Sequence, residues 1–265
     1  RDCPYGRVFP VLEAAAKAGW QEVVVLTTEG PVLMLAGAGT GKTRSLIYRL
    51  ACLLDEGVAP NRLMAITFTN KAAGELRERL MALVGERAEG VICGTFHGVA
   101  VRFLRHHAER IGWPSQFLIY DEGDQRSLVT GLLSSGDDLT PGALIKALDK
   151  RRLNPELAVP TWDRAGLVAK ARLPDYLQAL KRAGAVDFMG LIEGLVALAE
   201  GQHLPPFAEV LVDEFQDTDR LQHRFLEALA QSGSRIVAVG DDDQSIYGWR
   251  GADVSGMLRF EKVYR

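Results

Sequence analysis

Residues 31–43 read PVLMLAGAGTGKT. A short apolar run breaks into a glycine-rich turn and then into a helix that continues through Ser45–Glu56. Leu46, Ile47, Leu50, Leu53 and Leu54 share one face of that helix. A strand, a tight turn and a helix in immediate succession constrain the fold more than any other feature of the chain. Glycine tolerates the turn, the turn aims successive backbone N–H groups inward, and the helix N-terminus adds partial positive charge. Such a turn cradles a phosphate. The segment AGAGTGKT (36–43) has P-loop spacing, with Ala36 where the simple pattern has glycine. Ala36, Gly37, Ala38, Gly39, Thr40 and Gly41 are the expected cradle. Lys42 is expected to reach the outer phosphates, and the Thr43 hydroxyl to ligate Mg²⁺. The plainer reading is a glycine turn with an incidental Lys-Thr; the flanking strand and helix weigh against it. The loop by itself implies only a nucleoside triphosphate, a ligand shared by kinases, GTPases and motors.

Four more apolar runs follow the same rhythm: RLMAITFT (62–69), GVICGTFH (90–97), AEVLVDE (208–214) and SRIVAVGDD (234–242). Continuous apolar strands alternating with helices predict an α/β fold with a parallel sheet covered on both faces. The stretch 105–194 departs from this rhythm. It shows no strand run and reads as helices punctuated by Pro114, Gly136, Pro141, Pro155, Pro160, Pro174 and Gly184. The expected organisation is an α/β domain over 1–104 and 195–265, interrupted by a mostly helical insertion over 105–194. A chain of 265 residues has room for both.

The net charge of −3 conceals an uneven distribution. Residues 146–182 hold nine Lys/Arg against four Asp/Glu, while 200–219 hold six Asp/Glu and no Lys/Arg. The basic run serves equally as a solvated helix face or as a contact for phosphates. Cys3, Cys52 and Cys93 form no CxxC pair, so neither a disulfide framework nor a zinc site is expected. No stretch approaches the roughly 18 apolar residues of a membrane span, and the N-terminus lacks a signal-peptide layout. The chain is expected to be cytoplasmic, with no membrane partner.

The segment VLVDEFQDT (210–218) supplies a second half to the phosphate loop. Asp213 falls at the end of an apolar strand, at the carboxyl edge where open α/β sheets bind ligands. One carboxylate there can hold Mg²⁺, and the adjacent Glu214 can polarise an attacking water as general base. Surface acids after an edge strand are the alternative, and the phosphate loop argues against it. Last comes GDDDQSIYGWRG (240–251), an acidic cluster set directly beside a glutamine, two aromatic residues and an arginine. An aromatic platform of this kind stacks on any nucleic-acid base without sequence preference.

These segments, taken in order, resemble the N-terminal half of UvrD/Rep/PcrA-type superfamily 1 DNA helicases. AGAGTGKT is similar to motif I, AITFTNKAA (65–73) to motif Ia, GTFH (94–97) to motif Ib, VDEFQDT to motif II and VGDDDQSIYGWRGAD (239–253) to motif III. IYDEGDQ (119–125) and VDF (186–188) add to the likeness, which covers nearly all of 21–264. The resemblance implies a RecA-like P-loop NTPase domain that binds ATP and Mg²⁺ and engages single-stranded DNA or a single-strand/duplex junction, moving 3′ to 5′. It implies that Gln21 reads adenine, that Arg44 lies near the nucleotide, and that Lys42, Glu214 and Gln244 serve catalysis, with Gln244 facing the γ-phosphate. Trp249 would stack on a base and Arg250 contact the strand, while Tyr247 reads as a packed core residue. Phe68, Asn70, Thr95 and His97 would line the same DNA channel. A Phe or His at such a position is as often structural, so both roles stay open for these four.

The sequence departs from the family in several places. Lys17-Ala18 stands where the family has Leu-Asn ahead of the adenine-reading glutamine, and Met189-Gly190 where it often has two acids. The chain stops at FEKVYR, before the motifs numbered four to six, whose arginines reach the γ-phosphate from a second motor domain. Removing an arginine finger lowers turnover by about 10³–10⁵. The chain alone, a fragment or truncated form, is therefore expected to turn ATP over weakly, with the second domain supplied in cis or in trans. A non-catalytic module that holds single-stranded DNA or a partner protein is the alternative. A small-molecule kinase fits the phosphate loop but neither VDEFQDT nor SIYGWRG.

Overall fold

The computed structural model describes residues 24–25, 30–35, 41–134, 136–156, 158–160, 163–241 and 259–264. Its strands are β1 (Val24–Val25), β2 (Val32–Leu35), β3 (Leu63–Ile66), β4 (Ile92–Gly94), β5 (Leu118–Ile119), β6 (Ala185–Val186), β7 (Glu209–Val212) and β8 (Arg235–Gly240). Its helices are α1 (Lys42–Asp55), α2 (Asn70–Val84), α3 (Phe96–His107), α4 (Glu122–Thr130), α5 (Pro141–Leu153), α6 (Arg164–Arg182), α7 (Phe188–Glu200), α8 (Arg220–Gln231) and α9 (Phe260–Tyr264). The chain divides into two compact units. The first takes the chain up to Val99 and from Ala199 onward; the second is Ala100–Leu198.

The first unit is built on a six-stranded sheet of order β1-β2-β8-β7-β3-β4. The five expected strands pair in parallel; β1, which the apolar runs do not mark, adds antiparallel to β2 at the edge. Val32, Met34, Leu63, Ala65, Leu211, Val237 and Val239 join Leu46, Leu50, Leu76 and Leu80 in one apolar cluster. The alternating strand residues Leu33, Met64, Ile66, Val210, Val212, Ile236 and Ala238 are also buried. Neighbouring residues of a strand face opposite sides, so both faces of the sheet are covered. This explains why the runs are continuously apolar rather than alternating.

Register decides what the sheet can present. Leu35 pairs with Gly240, Val212 with Ala238, and Ile66 with both Val212 and Gly94. The carboxyl ends of β2, β8, β7, β3 and β4 therefore lie along one edge, and the five functional segments named above all leave the sheet there. At the other end, Arg49 forks onto Glu209, the first residue of β7, through bonds of 2.8 and 2.7 Å, which closes that edge with a buried ion pair.

The second unit is mostly helical. Val129, Leu144, Leu148, Ala169, Tyr176 and Leu180 form its core between α4, α5 and α6. Asp121 and Asp124 make a capping box at α4, the Thr140 hydroxyl accepts from Ala143 ahead of Pro141 at α5, and Asp163 accepts from Gly166 at α6. Two expectations need correction. The absence of strands fails: β5 and β6 pair in parallel, Leu118 with Ala185 and Ile119 with Val186. Two-residue strands are too short to leave a periodic signal. Pro174 does not separate helices but lies inside α6, on its exposed side, while Ala169, Tyr176 and Leu180 keep the opposite face anchored in the core. Within the basic run, whose two readings both stay open, Arg152 is buried.

Arg152 donates to both Glu193 oxygens, at 2.9 and 2.6 Å, and to Asp187 Oδ2 at 2.6 Å. Tyr176 Oη donates to the same Asp187 oxygen at 2.7 Å, and the Gly190 N–H donates to Asp187 Oδ1 at 2.7 Å. Burial opposes the charge on Asp187, but Arg152 beside it holds its carboxyl below the usual range. The departure at Gly190 gains a physical reason here. A Cβ on Gly190 would lie 2.6 Å from Val186 Cγ2 and 2.9 Å from Asp187 Oδ1, so a side chain at this position collides with the ion cluster.

Candidate nucleotide site

Gly41 is the residue on which the loop turns into α1. Its φ of 91° lies in the left-handed region that glycine adopts without strain. Lys42 and Thr43 follow as the first helical residues, which sets their side chains at the positive end of the helix. Asp213 and Glu214 leave β7 on the same edge of the sheet. The Asp213 N–H donates to Ile66 O at 2.8 Å, so the ladder to β3 continues one residue past the strand and fixes the Asp213 backbone. The next residue breaks away: Glu214 has φ 52° and ψ 47°. A non-glycine residue held there costs about 1–3 kcal/mol, which persists only where surrounding contacts over-determine it.

The turn brings two pairs together. The Thr43 hydroxyl donates to Asp213 Oδ2 at 3.0 Å, and Lys42 Nζ lies 3.3 Å from Glu214 Oε2. Asp213 Oδ1 accepts from the Glu214 N–H at 3.1 Å. Burial, and then the charge of Glu214, push the Asp213 carboxyl upward, with Thr43 opposing. Asp217, at the end of the 3-10 turn Phe215–Asp217, is pushed up to about 6, first by burial and then by Glu214, against the pull of Lys42. Its Oδ1 is buried with no hydrogen-bond partner among the described residues.

The donor set fits Mg²⁺ and a triphosphate. One hydroxyl and one carboxylate are hard oxygen ligands, and among the described residues no group of three His, Cys, Asp or Glu could hold a metal alone. Mg²⁺ is commonly held in this way, by one or two protein ligands, with phosphate and water oxygens filling the rest.

Residues 18–265 match the UvrD/REP helicase N-terminal domain. This chain belongs to the UvrD/REP helicase family. It is 41% identical to the ATP-dependent DNA helicase PcrA of Staphylococcus aureus (strain Mu50) over an alignment of 261 residues, which covers 92% of this chain and 36% of the relative. The ATP-dependent DNA helicase PcrA of Staphylococcus epidermidis (strain RP62A) matches with the same identity and coverage. The chain thus spans about a third of the length of these curated relatives.

The UvrD/REP motifs fall on the structure as follows. Phe68 is 41% exposed and Asn70 is exposed, just past β3. Thr95 and His97 follow β4 and are half-buried, and the Thr95 hydroxyl accepts from Gly98 as a helix cap. The Thr67 N–H donates to Gly94 O at 2.9 Å, so these two loops leave the sheet side by side. Arg44 is exposed on α1, with its guanidinium 5.5 Å from the Tyr48 ring centroid. Gln21, Ala36, Gly37, Ala38, Gly39, Thr40, Gln244, Trp249 and Arg250 lie outside the described residues. Among the described residues no helix is long and apolar enough to cross a membrane.

The motif reading assigned no role to Gln216. Its Nε2 donates to Glu214 Oε2 at 2.8 Å, and its Oε1 accepts the Asp241 N–H at 3.0 Å. The signal for it was a polar residue inside VDEFQDT, a site segment, at a position the structure leaves 2% exposed.

Proposed function

We propose that the chain is the ATP-binding and single-stranded-DNA-binding half of an ATP-dependent 3′-to-5′ DNA helicase or translocase. The observation that carries this reading is the meeting of Lys42 with Glu214 and of Thr43 with Asp213 at the carboxyl edge of the sheet. Family membership adds DNA as the polymer, and the polarity is a property of the resembled helicases. Thr43 and Asp213 would hold Mg²⁺, which would supply positive charge against the negative charge of a bound triphosphate. Lys42 leaves Glu214 to meet the outer phosphates. Glu214, released from that pair, accepts a proton from the attacking water at its carboxylate. Phe68, Asn70, Thr95 and His97 border the strand path on the same edge, and Trp249 and Arg250 contribute the stacking and backbone contacts. The arginines that reach the γ-phosphate come from a second motor domain, in the same chain or another.

The test is a fluorescent-ATP titration with Mg²⁺, paired with sensitive ATP hydrolysis assays with and without single-stranded oligonucleotide. Saturable binding that Lys42→Ala abolishes, with slow DNA-stimulated hydrolysis, is the expected result. A Lys42→Ala titration that overlays the wild-type curve removes the nucleotide site from this place.

A further inference from the structure

Gln216 is buried, and its amide is committed at both ends. The Asp241 N–H can only donate, so the end of the amide that meets it must be the oxygen. The NH₂ end therefore faces Glu214, and the hydrogen-bond pattern itself settles the orientation of the amide. Lys42 approaches the same carboxylate oxygen, Oε2, while among the described residues no hydrogen bond reaches Glu214 Oε1. The Glu214 side chain is 35% exposed. Its carboxylate is thus pinned by one oxygen and presents the other.

We propose that Gln216 is a positioning residue: it holds Glu214 Oε2 so that Oε1 faces the reacting water, and it ties that orientation to the end of β8. The inference rests on Glu214 acting as the general base. Asp241 is the first residue beyond β8, and the chain runs on from it into DDQSIYGWRG, the segment whose Gln244 and Trp249 are read as facing nucleotide and DNA. A displacement of the chain at Asp241 reaches the carboxylate through a single amide.

Three variants and two readouts test this. Gln216→Met keeps the length of the side chain and removes both hydrogen-bonding ends. Gln216→Glu keeps an acceptor for Asp241 but sets a carboxylate against Glu214. With ATP as the probe, Gln216→Met is expected to lower kcat by about 10-fold or more while the ATP Kd stays within about 2-fold. Gln216→Glu is expected to move the acid limb of the rate profile to higher pH, because a like charge disfavours ionisation. The second readout needs no turnover. In amide NMR spectra Glu214→Gln should shift both the Gln216 side-chain NH₂ and the Asp241 backbone signals, and the Asp241 shift should vanish in the Gln216→Met background. An unchanged kcat in Gln216→Met overturns the proposal, as does an Asp241 amide that ignores Glu214→Gln. A wild-type chain without turnover whose Asp241 amide still follows Glu214 sinks the hydrolytic reading of the isolated chain and leaves the tie standing.

Discussion

Two polar clusters, one in each unit, have the same charge inventory and opposite wiring. In the helical unit Arg152 stands among Asp187, Glu193 and Asp149; at the sheet edge Lys42 stands among Asp213, Glu214 and Asp217. Each cluster even carries one carboxyl pushed up to about 6, Asp149 and Asp217, both by burial first. The difference lies in which atoms are satisfied. Around Arg152, both Glu193 oxygens and both Asp187 oxygens accept hydrogen bonds from the protein itself, through Arg152, Tyr176 and the Gly190 N–H, and only the outlying Asp149 accepts none among the described residues. Around Lys42, Glu214 Oε1 and Asp217 Oδ1 accept none among the described residues, and Glu214 sits on a left-handed backbone. A closed network is architecture. An open one, with strain beside it, suits a ligand that brings its own charge. Counting acids and bases does not separate the two; accounting for their hydrogen bonds does.

The largest effect that could break this comparison lies at Arg152. Arg152→Ala leaves Asp187, 1% exposed in its side chain, as a buried charge without its partner. Removing one member of such a pair costs about 3–5 kcal/mol, and urea unfolding of the variant is expected to show it. Arg152→Lys should recover only part of the loss, since an ammonium cannot fork onto Glu193. A loss below about 1 kcal/mol would mean that the cluster opens to water and is no more closed than the candidate nucleotide site.

Gly190→Ala sharpens the comparison from the packing side. The added methyl meets Val186 Cγ2, Asp187 Oδ1 and, at 3.3 Å, Arg152 Nη2. Overpacking of this kind costs about 1–3 kcal/mol, again read from the unfolding midpoint. A neutral result would show that the cluster yields, as a closed network should not.

The same distinction governs what could be seen in the sequence. β2, β3, β4, β7 and β8 were legible because burial on both faces makes each a continuous apolar run, as in Leu63–Ile66. That Lys42, Thr43, Asp213 and Glu214 share one edge of the sheet was legible from parallel strands that each end in a site segment; their chemical roles remain proposals. β1, β5 and β6 were not, since two residues carry no period, and Pro174 misled because local propensity yields to a face anchored by Tyr176 and Leu180. Gln216 and Gly190 stood out in the sequence, one as a polar residue inside VDEFQDT and the other as a departure from the family, but their reasons did not. Gln216 meets the Asp241 N–H from a distant part of the chain, and Gly190 is hemmed in by Val186 and by an Asp187 carboxylate that Arg152 holds in place. A pattern read along the chain shows the strand ends and the helix starts, and the hydrogen-bond partners between them appear only in three dimensions.

Asp217 carries the smallest expected effect and tests the open side of the comparison. Its carboxyl moves from 3.8 to about 6 in the folded protein, raised by burial and Glu214 and lowered by Lys42. A carboxyl raised in this way binds its proton more tightly in the folded state than in the unfolded one. Stability therefore falls as pH climbs from about 3.8 to about 6, and the loss is complete above that window. Asp217→Asn removes the charge, so its melting temperature should exceed that of the wild type at pH 7.5, and the gain should shrink at pH 4.5. Glu214→Gln removes the second cause, so the gain from Asp217→Asn should be smaller in that background. An equal gain at both pH values would assign the effect to the better hydrogen bonding of the amide. The carboxylate would then carry no electrostatic cost, and the open wiring at the candidate nucleotide site would lose its main energetic signature.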